Sequence, residues 1–442
     1  MIIKKVSLFV IIFFLAISSF AQGKFRILDN NDESENVDFE LVNNLIVVKA
    51  KINGKKLSFL LDTGIKKTML FNLVFSDSLI LNNVERLKLS GLGEGEPINA
   101  IRSKGNLFEM GGIVNPDMPV FVIIDDLFDL SAKLGVDIHG IIGGDLFEDF
   151  VVKINYSSER LTFSNPDTYK YAKCKGCESF PLEFYSNKPF VNVDVENHLG
   201  KEFEVKLLID SGGGDSLWLF PYSHPDIVIS DNYFDDFLGR GLNGNIFGKK
   251  SRIKKLKLGS FEFENAAVSY PDSTSMLKMH SNKDRNGTLG AGILKRFIVI
   301  MDYQNHRITL KKNAKFFKEP FLYNKSGIEL SFGRDMLVQE KGPRMVHSGD
   351  SNSSITEIFY NYGLTYKPSF QIVLIRKGSP AHYAGLLEGD ILLEINGTPA
   401  YSLEMTEVIH LFSQKENKKI RLLVDRKGEH LRYTFNLKSL LD

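Results

Sequence analysis

Cysteine is nearly absent, with only Cys174 and Cys177 among 442 residues. Neither a disulfide framework nor a four-thiolate zinc site can therefore hold the fold. Neither sign of charge is in excess. Lys plus Arg is 55 against 54 Asp plus Glu, a net charge of +1, so the basic field that nucleic-acid binders carry is missing. The nine His form no HExxH and no paired spacing, and nothing points to a metal centre. Long apolar runs are lacking after the N-terminus, which excludes a polytopic membrane protein. What remains is near the globular average, 43% apolar and 25% charged. At roughly 150 residues per domain, that is length for about three units.

The first residues read as an address. Lys4 and Lys5 precede the uncharged run SLFVIIFFLAISSF, with Ser19 and Ala21 small at −3 and −1 of a cut after Ala21. This is the pattern of a secretory signal peptide over 1–21. The run, about 14 residues, is short of the ~20 that a spanning helix needs, and no stable transmembrane span is expected. The expected location is periplasmic or extracellular. Residues 22–35, with the polar stretch DNNDESEN, are expected to be a mobile N-terminal segment. In an exported chain, the Cys174-Lys-Gly-Cys177 spacing reads as a local disulfide bracing a linker, with a redox centre as the rival.

Short β-runs broken by Gly, Asn and Asp follow, and they recur in order. LSFLLDTG ends at Gly64 and VKLLIDSG at Gly212. A Gly-rich hairpin pattern starts at Gly91 and again at Gly241. Ile141-Ile142-Gly143 and Thr288-Leu289-Gly290 open segments that end FVVKINYSSERLTF and FIVIMDYQNHRITL. Asp62 to Asp210 is 148 positions, Gly143 to Gly290 is 147, and Tyr156 to Tyr303 is 147. One period across several features implies two copies of a β-rich lobe, 36–170 and 178–315, joined by a linker over 171–177.

Each copy places a carboxylate at a tight turn leaving an apolar strand. Asp62 and Asp210 brought together could share one proton, the ionised member taking a proton from water and the protonated one donating to the carbonyl attacked. Gly64 and Gly212 let the backbone fold around the carboxylates, and Thr63 and Ser211 offer hydroxyls to lock the turns. No metal or cofactor is needed. On the Asp62-Thr63-Gly64 and Asp210-Ser211-Gly212 triplets and the two hydrophobic-Gly motifs, the chain resembles the aspartic proteases of the pepsin and retropepsin group. The resemblance implies Asp62 and Asp210 as catalytic dyad, with Thr63, Gly64, Ser211 and Gly212 in support, and a peptide or protein substrate lying between the lobes. It also implies that each hydrophobic-Gly motif packs beneath its own Asp loop. The chain departs from the pattern at Ile65 and Gly213, where small or hydroxyl residues are usual, and in having no Tyr from Gly91 to Glu109, the first-lobe flap candidate.

A third unit follows a basic, aromatic connector over 311–325. The segment GSPAHYAGLLEGDILLEINGTP, from Gly378 to Pro399, resembles a bacterial PDZ domain, over about 323–438. Pro380 opens a helical turn that Gly385 ends, Asn396-Gly397 signals a hairpin, and Met405–Phe412 has amphipathic helical spacing. The resemblance implies a loop of backbone N–H groups that binds a peptide's terminal carboxylate. Gly327-Ile328-Glu329-Leu330 is the first candidate and Gly363-Leu364 the second. The polar stretch 341–356 is expected to be a surface loop.

The expected fold is thus mostly β, two pseudo-symmetric acid-protease β-barrel lobes followed by an α+β PDZ-like domain. The expected function is an exported aspartic-type endopeptidase whose PDZ domain docks a substrate tail or a partner's C-terminus. The alternative is a peptide-binding or scaffold protein that keeps the protease lobes without cutting.

Overall fold

Strands dominate, as the alternating apolar runs predict. The computed structural model describes residues 23–29, 33–73, 79–91, 96–124, 130–276, 284–348 and 355–441. The expected signal peptide lies outside the described residues. No helix among them is long and apolar enough to cross a membrane.

The duplication is written into the sheets. In the first lobe, strand Lys55–Leu61 pairs antiparallel with Leu45–Ile52 and parallel with the short strand Gly140–Ile142. In the second, Glu202–Asp210 pairs antiparallel with Lys188–Glu196 and parallel with Gly287–Gly290. Each lobe adds a long hairpin, Ile98–Met110 with Ile113–Ile123 and Gly244–Leu258 with Phe261–Pro271. A six-stranded sheet joins the lobes, in the order Cys177–Pro181, Arg307–Lys312, Phe297–Asp302, Val151–Asn155, Arg160–Ser164, Ser34–Asp38. Its central pair is antiparallel and sets Lys153 opposite Ile300, residues 147 apart. The pseudo-twofold axis passes there, since Val151 faces Asp302 as Asn155 faces Ile298. One apolar core runs through both lobes and includes Phe59, Leu61, Phe163, Leu207, Leu256 and Phe297. Burial of each such side chain contributes roughly 1.5–3 kcal/mol.

The segment 22–35, expected to be mobile, is tied down where it is described. Phe25 is buried against Phe108 with ring centroids 5.4 Å apart, and its N–H donates to the Asp149 carboxylate at 2.9 Å. Arg26–Ile27 adds to the sheet edge at Ile113–Val114, and Ser34–Asp38 pairs with Arg160–Ser164. Two apolar residues, Phe25 and Ile27, are enough to anchor an otherwise polar stretch. Cys174 and Cys177 are joined as a disulfide at the start of strand Cys177–Pro181.

The C-terminal unit has its own core, including Phe370, Ile372, Val408, Phe412, Ile420 and Val424. Helix Pro380–Ala384 is capped by the Ser379 hydroxyl and ended by Gly385 at φ 88°. Helix Met405–Phe412 carries a Glu404/Glu407 capping box. The stretch 341–356 is not the loop expected. Strands Ile328–Ser348 and Ile355–Ile375 form a hairpin whose register runs on unbroken from Lys341 opposite Tyr362 to Ser348 opposite Ile355. A ladder needs only N–H and C=O groups, so polar composition is no bar to it.

Candidate active site

Each Asp triplet sits where a core strand ends. Asp62 follows strand Lys55–Leu61, and its N–H donates to the Ile142 carbonyl at 2.9 Å. Asp210 closes strand Glu202–Asp210 opposite Gly290. The hydrophobic-Gly motifs lie against the loops of their own lobes, as expected. Gly144 and Asp145 donate backbone N–H groups to the Ile65 and Lys66 carbonyls, and Ala291 and Gly292 donate to those of Gly213 and Asp215.

The turns are locked to each other reciprocally. The Thr63 N–H donates to Ser211 Oγ at 3.1 Å and the Ser211 N–H to Thr63 Oγ1 at 3.1 Å. Thr63 Oγ1 then donates to the Ile209 carbonyl, and Ser211 Oγ to that of Leu61, both at 2.8 Å. Both side chains are 1% exposed, so all four bonds are shielded from water. Within each triplet the Gly N–H returns to the carboxylate, Gly64 to Asp62 Oδ1 at 2.6 Å and Gly212 to Asp210 Oδ1 at 3.0 Å.

The two carboxyl groups are thereby brought together at the lobe boundary, each against the other lobe's glycine turn. Burial above all, and then the charge of Asp210, hold the Asp62 carboxyl well above the usual carboxylate range, against the pull of the Gly64 N–H. Asp62 is buried and Asp210 half-buried, and a proton held there belongs to the pair. Tyr303 approaches from the interlobe sheet. Its hydroxyl is buried without a hydrogen-bond partner among the described residues, and burial with the nearby Asp62 raises its pKa. Lys188 and Arg285 also stand within electrostatic reach of the pair. Tyr303 belongs to the duplicated pattern without being marked by it as a site residue, and Lys188 and Arg285 lie outside that pattern.

The flap candidate at Gly91 belongs to a hairpin of strands Glu85–Leu89 and Ile98–Met110. Gly91 and Glu96, on either side of its turn, meet the matching hairpin tip of the second lobe. Asn243 accepts from the Gly91 N–H and donates to the Glu96 carbonyl, and Leu242 packs against Gly91. Contacts of this kind do not depend on a Tyr.

The candidate PDZ loop is corrected by the structure. Its N–H groups are spent internally. Asn324 Oδ1 accepts from Ser326 at 3.0 Å and Gly327 at 3.2 Å, and Ser326 Oγ accepts from Ile328 at 3.1 Å. Ile328 and Leu330 are core residues, and Gly327, at φ 79°, presses on Ser379. The Glu329 carboxyl lies among Asp236, Lys250, Lys133 and Arg376, groups that engage it within the chain. The second candidate, Gly363-Leu364, is paired strand opposite Glu340 and Gln339. The chain also covers part of this edge itself. The first-lobe helix Leu130–Leu134 packs on strand Ile328–Ser348, and Gly135 sits so close to Phe332 and Met405 that a Cβ there would lie 2.6 Å from Met405 Cβ.

Two family models match the chain. Residues 48–146 match the family model described as aspartyl protease, and residues 371–426 match that of the PDZ domain. The chain carries an aspartyl protease domain and a PDZ domain. The matched protease segment holds Asp62, Ile142-Gly143 and the first-lobe hairpins; Asp210 lies outside it. A crystal structure of an aspartic proteinase from Irpex lacteus is similar at 14% identity and a TM-score of 0.40, over 65% of this chain and 99% of that one.

The protease and PDZ domains are joined through charge. Arg376 Nη1 meets Asp236 Oδ1 at 3.3 Å, with both side chains 6% exposed. Lys250 lies 3.7 Å from Asp236 and 3.6 Å from Asp215. Asp215 in turn accepts from Trp218 Nε1 and Ser269 Oγ, each at 2.8 Å, four residues after Ser211. Burial works against the Lys250 charge, but the Asp215, Asp236 and Glu329 carboxyls outweigh it and raise its pKa.

Proposed function

We propose that this chain is an exported aspartic-type endopeptidase, with functional units over 36–170, 178–315 and 323–438. The observation that carries the reading is the meeting of the Asp62 and Asp210 turns, each carboxyl group packed against the other lobe's glycine and the pair held by reciprocal Thr63 and Ser211 bonds. In the reaction, Asp210 takes a proton from a water while Asp62 donates its own to the carbonyl oxygen. The water oxygen forms the new C–O bond, and return of a proton to the amide nitrogen releases the amine. Thr63 and Ser211 position the dyad without touching substrate. Export is supported by the Lys4-Lys5 start, the apolar run and the Ala21 cut site, together with the Cys174–Cys177 disulfide.

The PDZ domain docks a protein segment. Its edge strand is partly covered by the protease lobe, which supports docking coupled to the lobe over passive tethering. The purified mature chain, incubated with a mixed peptide library from pH 3 to 8, tests the reading. Cleavage lost in Asp62→Asn and Asp210→Asn supports it. Persistent peptide binding with no cleavage at any pH replaces it with a non-catalytic peptide-binding protein.

A further inference from the structure

Two cations beside the dyad break the pseudo-twofold. The first hairpin of lobe one turns at Asn43-Asn44 and that of lobe two at Ser186-Asn187, all four residues left-handed. Each turn reaches across to the other lobe. Asn44 Nδ2 donates to the Gly214 carbonyl at 2.9 Å, and Asn187 Nδ2 to Glu148 Oε1 at 2.7 Å. The residue after the turn is buried Leu45 in one lobe and half-buried Lys188 in the other.

The second position is matched by its neighbours. His139 and Ser58 exchange bonds, the His139 N–H to the Ser58 carbonyl and the Ser58 N–H to His139 Nδ1. Asn286 and Lys206 do the same, the Asn286 N–H to the Lys206 carbonyl and the Lys206 N–H to Asn286 Oδ1. The residue just before is fully buried Ile138 in one copy and Arg285 in the other. Two aliphatic side chains of the first lobe are thus two cations in the second.

Neither cation is neutralised locally. Lys188 makes no ion pair among the described residues. Arg285 is fixed by Nε to the Gly287 carbonyl at 3.0 Å and Nη2 to Thr288 Oγ1 at 2.5 Å, and lies 5.0 Å from the Phe220 ring. Both stand beside the strand that ends in Asp210: strand Lys188–Glu196 pairs with it up to Phe190 opposite Leu208, and Gly287 and Thr288, which hold Arg285, pair with Leu207 and Leu208. Asp210 is the opposite charge acting on both. A dyad sharing one proton carries one negative charge, and the two cations carry two positive. Partly desolvating that surplus opposes folding unless a ligand completes it. The cost is visible in Lys188, whose pKa burial and Arg285 lower, and in Arg285, lowered to about 10 by burial.

We propose that Lys188 and Arg285 form a carboxylate subsite next to the scissile bond, so that the peptidase prefers peptides presenting an acidic group there. The group is an Asp or Glu side chain or the peptide's own terminal carboxylate. This rests on the endopeptidase reading and specifies its substrate class.

The test uses one cleaved core sequence in matched versions, Glu against Gln near the scissile bond and free acid against amide at the C-terminus. Wild type should favour one of the acidic versions by about tenfold or more in kcat/KM, the worth of a charge-assisted bond. The arm that responds identifies the source of the carboxylate. The preference, taken as the ratio of acidic to neutral peptide within each variant, should vanish in Lys188→Met and Arg285→Met and return in Lys188→Arg. Wild-type cleavage indifferent to both substitutions overturns the subsite and leaves the hydrolase standing. Absence of all cleavage overturns the hydrolase, and the subsite is then read by calorimetry with hydroxyethylene peptide analogues. Equal affinity of acidic and neutral analogues overturns it.

Discussion

Gly212 faces the carboxylate of Asp62 across the lobe boundary, as Gly64 faces that of Asp210. A Cβ at Gly64 would lie 2.8 Å from Asp210 Cγ, and one at Gly212 would overlap Asp62. Each glycine is the floor on which the other lobe's acid rests. Gly64→Ala and Gly212→Ala should therefore push the carboxyl groups apart while the strands beneath persist. The expected outcome is loss of peptide cleavage by about 100-fold or more, as a 1 Å misplacement can produce. Steady-state kinetics beside circular dichroism checks it. Full activity in Gly212→Ala would show that the close approach is not required.

The reciprocal hydroxyl bonds make a stability prediction. Ser211→Ala removes an acceptor from the Thr63 N–H and a donor from the Leu61 carbonyl, both shielded from water. Stranded buried groups cost about 1–3 kcal/mol each. Ser211→Ala and Thr63→Val should each lower unfolding free energy in that range. The double variant should depart from the sum, because the two residues are in contact and each hydroxyl accepts from the other's backbone. Urea unfolding of the four proteins measures this; strict additivity would contradict a shared network.

Stability should also fall as pH rises through the carboxylate-to-neutral range. Burial raises Asp145 to about 6 and Glu329 to about 7, and raises Asp62. A carboxyl raised in the native state binds its proton more tightly there than in the unfolded chain. Its contribution is full below the unfolded value, 3.8 for Asp and 4.5 for Glu, and is lost as pH climbs through the folded value. For Glu329 the window is about pH 4.5 to 7. Glu329→Gln should gain on wild type by on the order of 2 kcal/mol between pH 4 and 8. Denaturation midpoints at the two pH values decide it. A variant that loses ground at pH 8 would mean that Lys250, Lys133 and Arg376 need the Glu329 charge.

The ion pair between Arg376 and Asp236 links the PDZ domain to the second lobe. Arg376→Ala leaves an enclosed carboxylate with Lys250 alone, a loss of about 3 kcal/mol or more. Limited proteolysis should then cut within the connector 311–325 faster than in wild type. An unchanged digestion pattern would place the strength of the interface elsewhere, at Gly135, Phe332 and Met405.

Much of the site was legible because it is duplicated. Asp62 and Asp210, Thr63 and Ser211, and the two hydrophobic-Gly motifs repeat at one spacing, and repetition turns weak turn-formers into a pattern. Lys188 and Arg285 were hidden by the same logic, since they are where the copies differ. A position-by-position match of the lobes, with Leu45 set against Lys188 and Ile138 against Arg285, was the available signal. The PDZ loop misled because Gly-Ile-Glu-Leu has the composition of an N–H nest. Whether its donors are free depends on the Asn324 side chain, a neighbour that turn propensity does not rank. The run from Lys341 reads as a loop because polar residues obscure a strand whose pairing is made by backbone alone.

The most direct test is a single turnover of a cleaved peptide in water enriched in oxygen-18, for wild type, Asp62→Asn and Asp210→Asn. The account predicts one heavy oxygen in the new carboxylate of the wild-type product, and a rate lower by at least about 1,000-fold in each variant. Cleavage by either variant at the wild-type rate would contradict it.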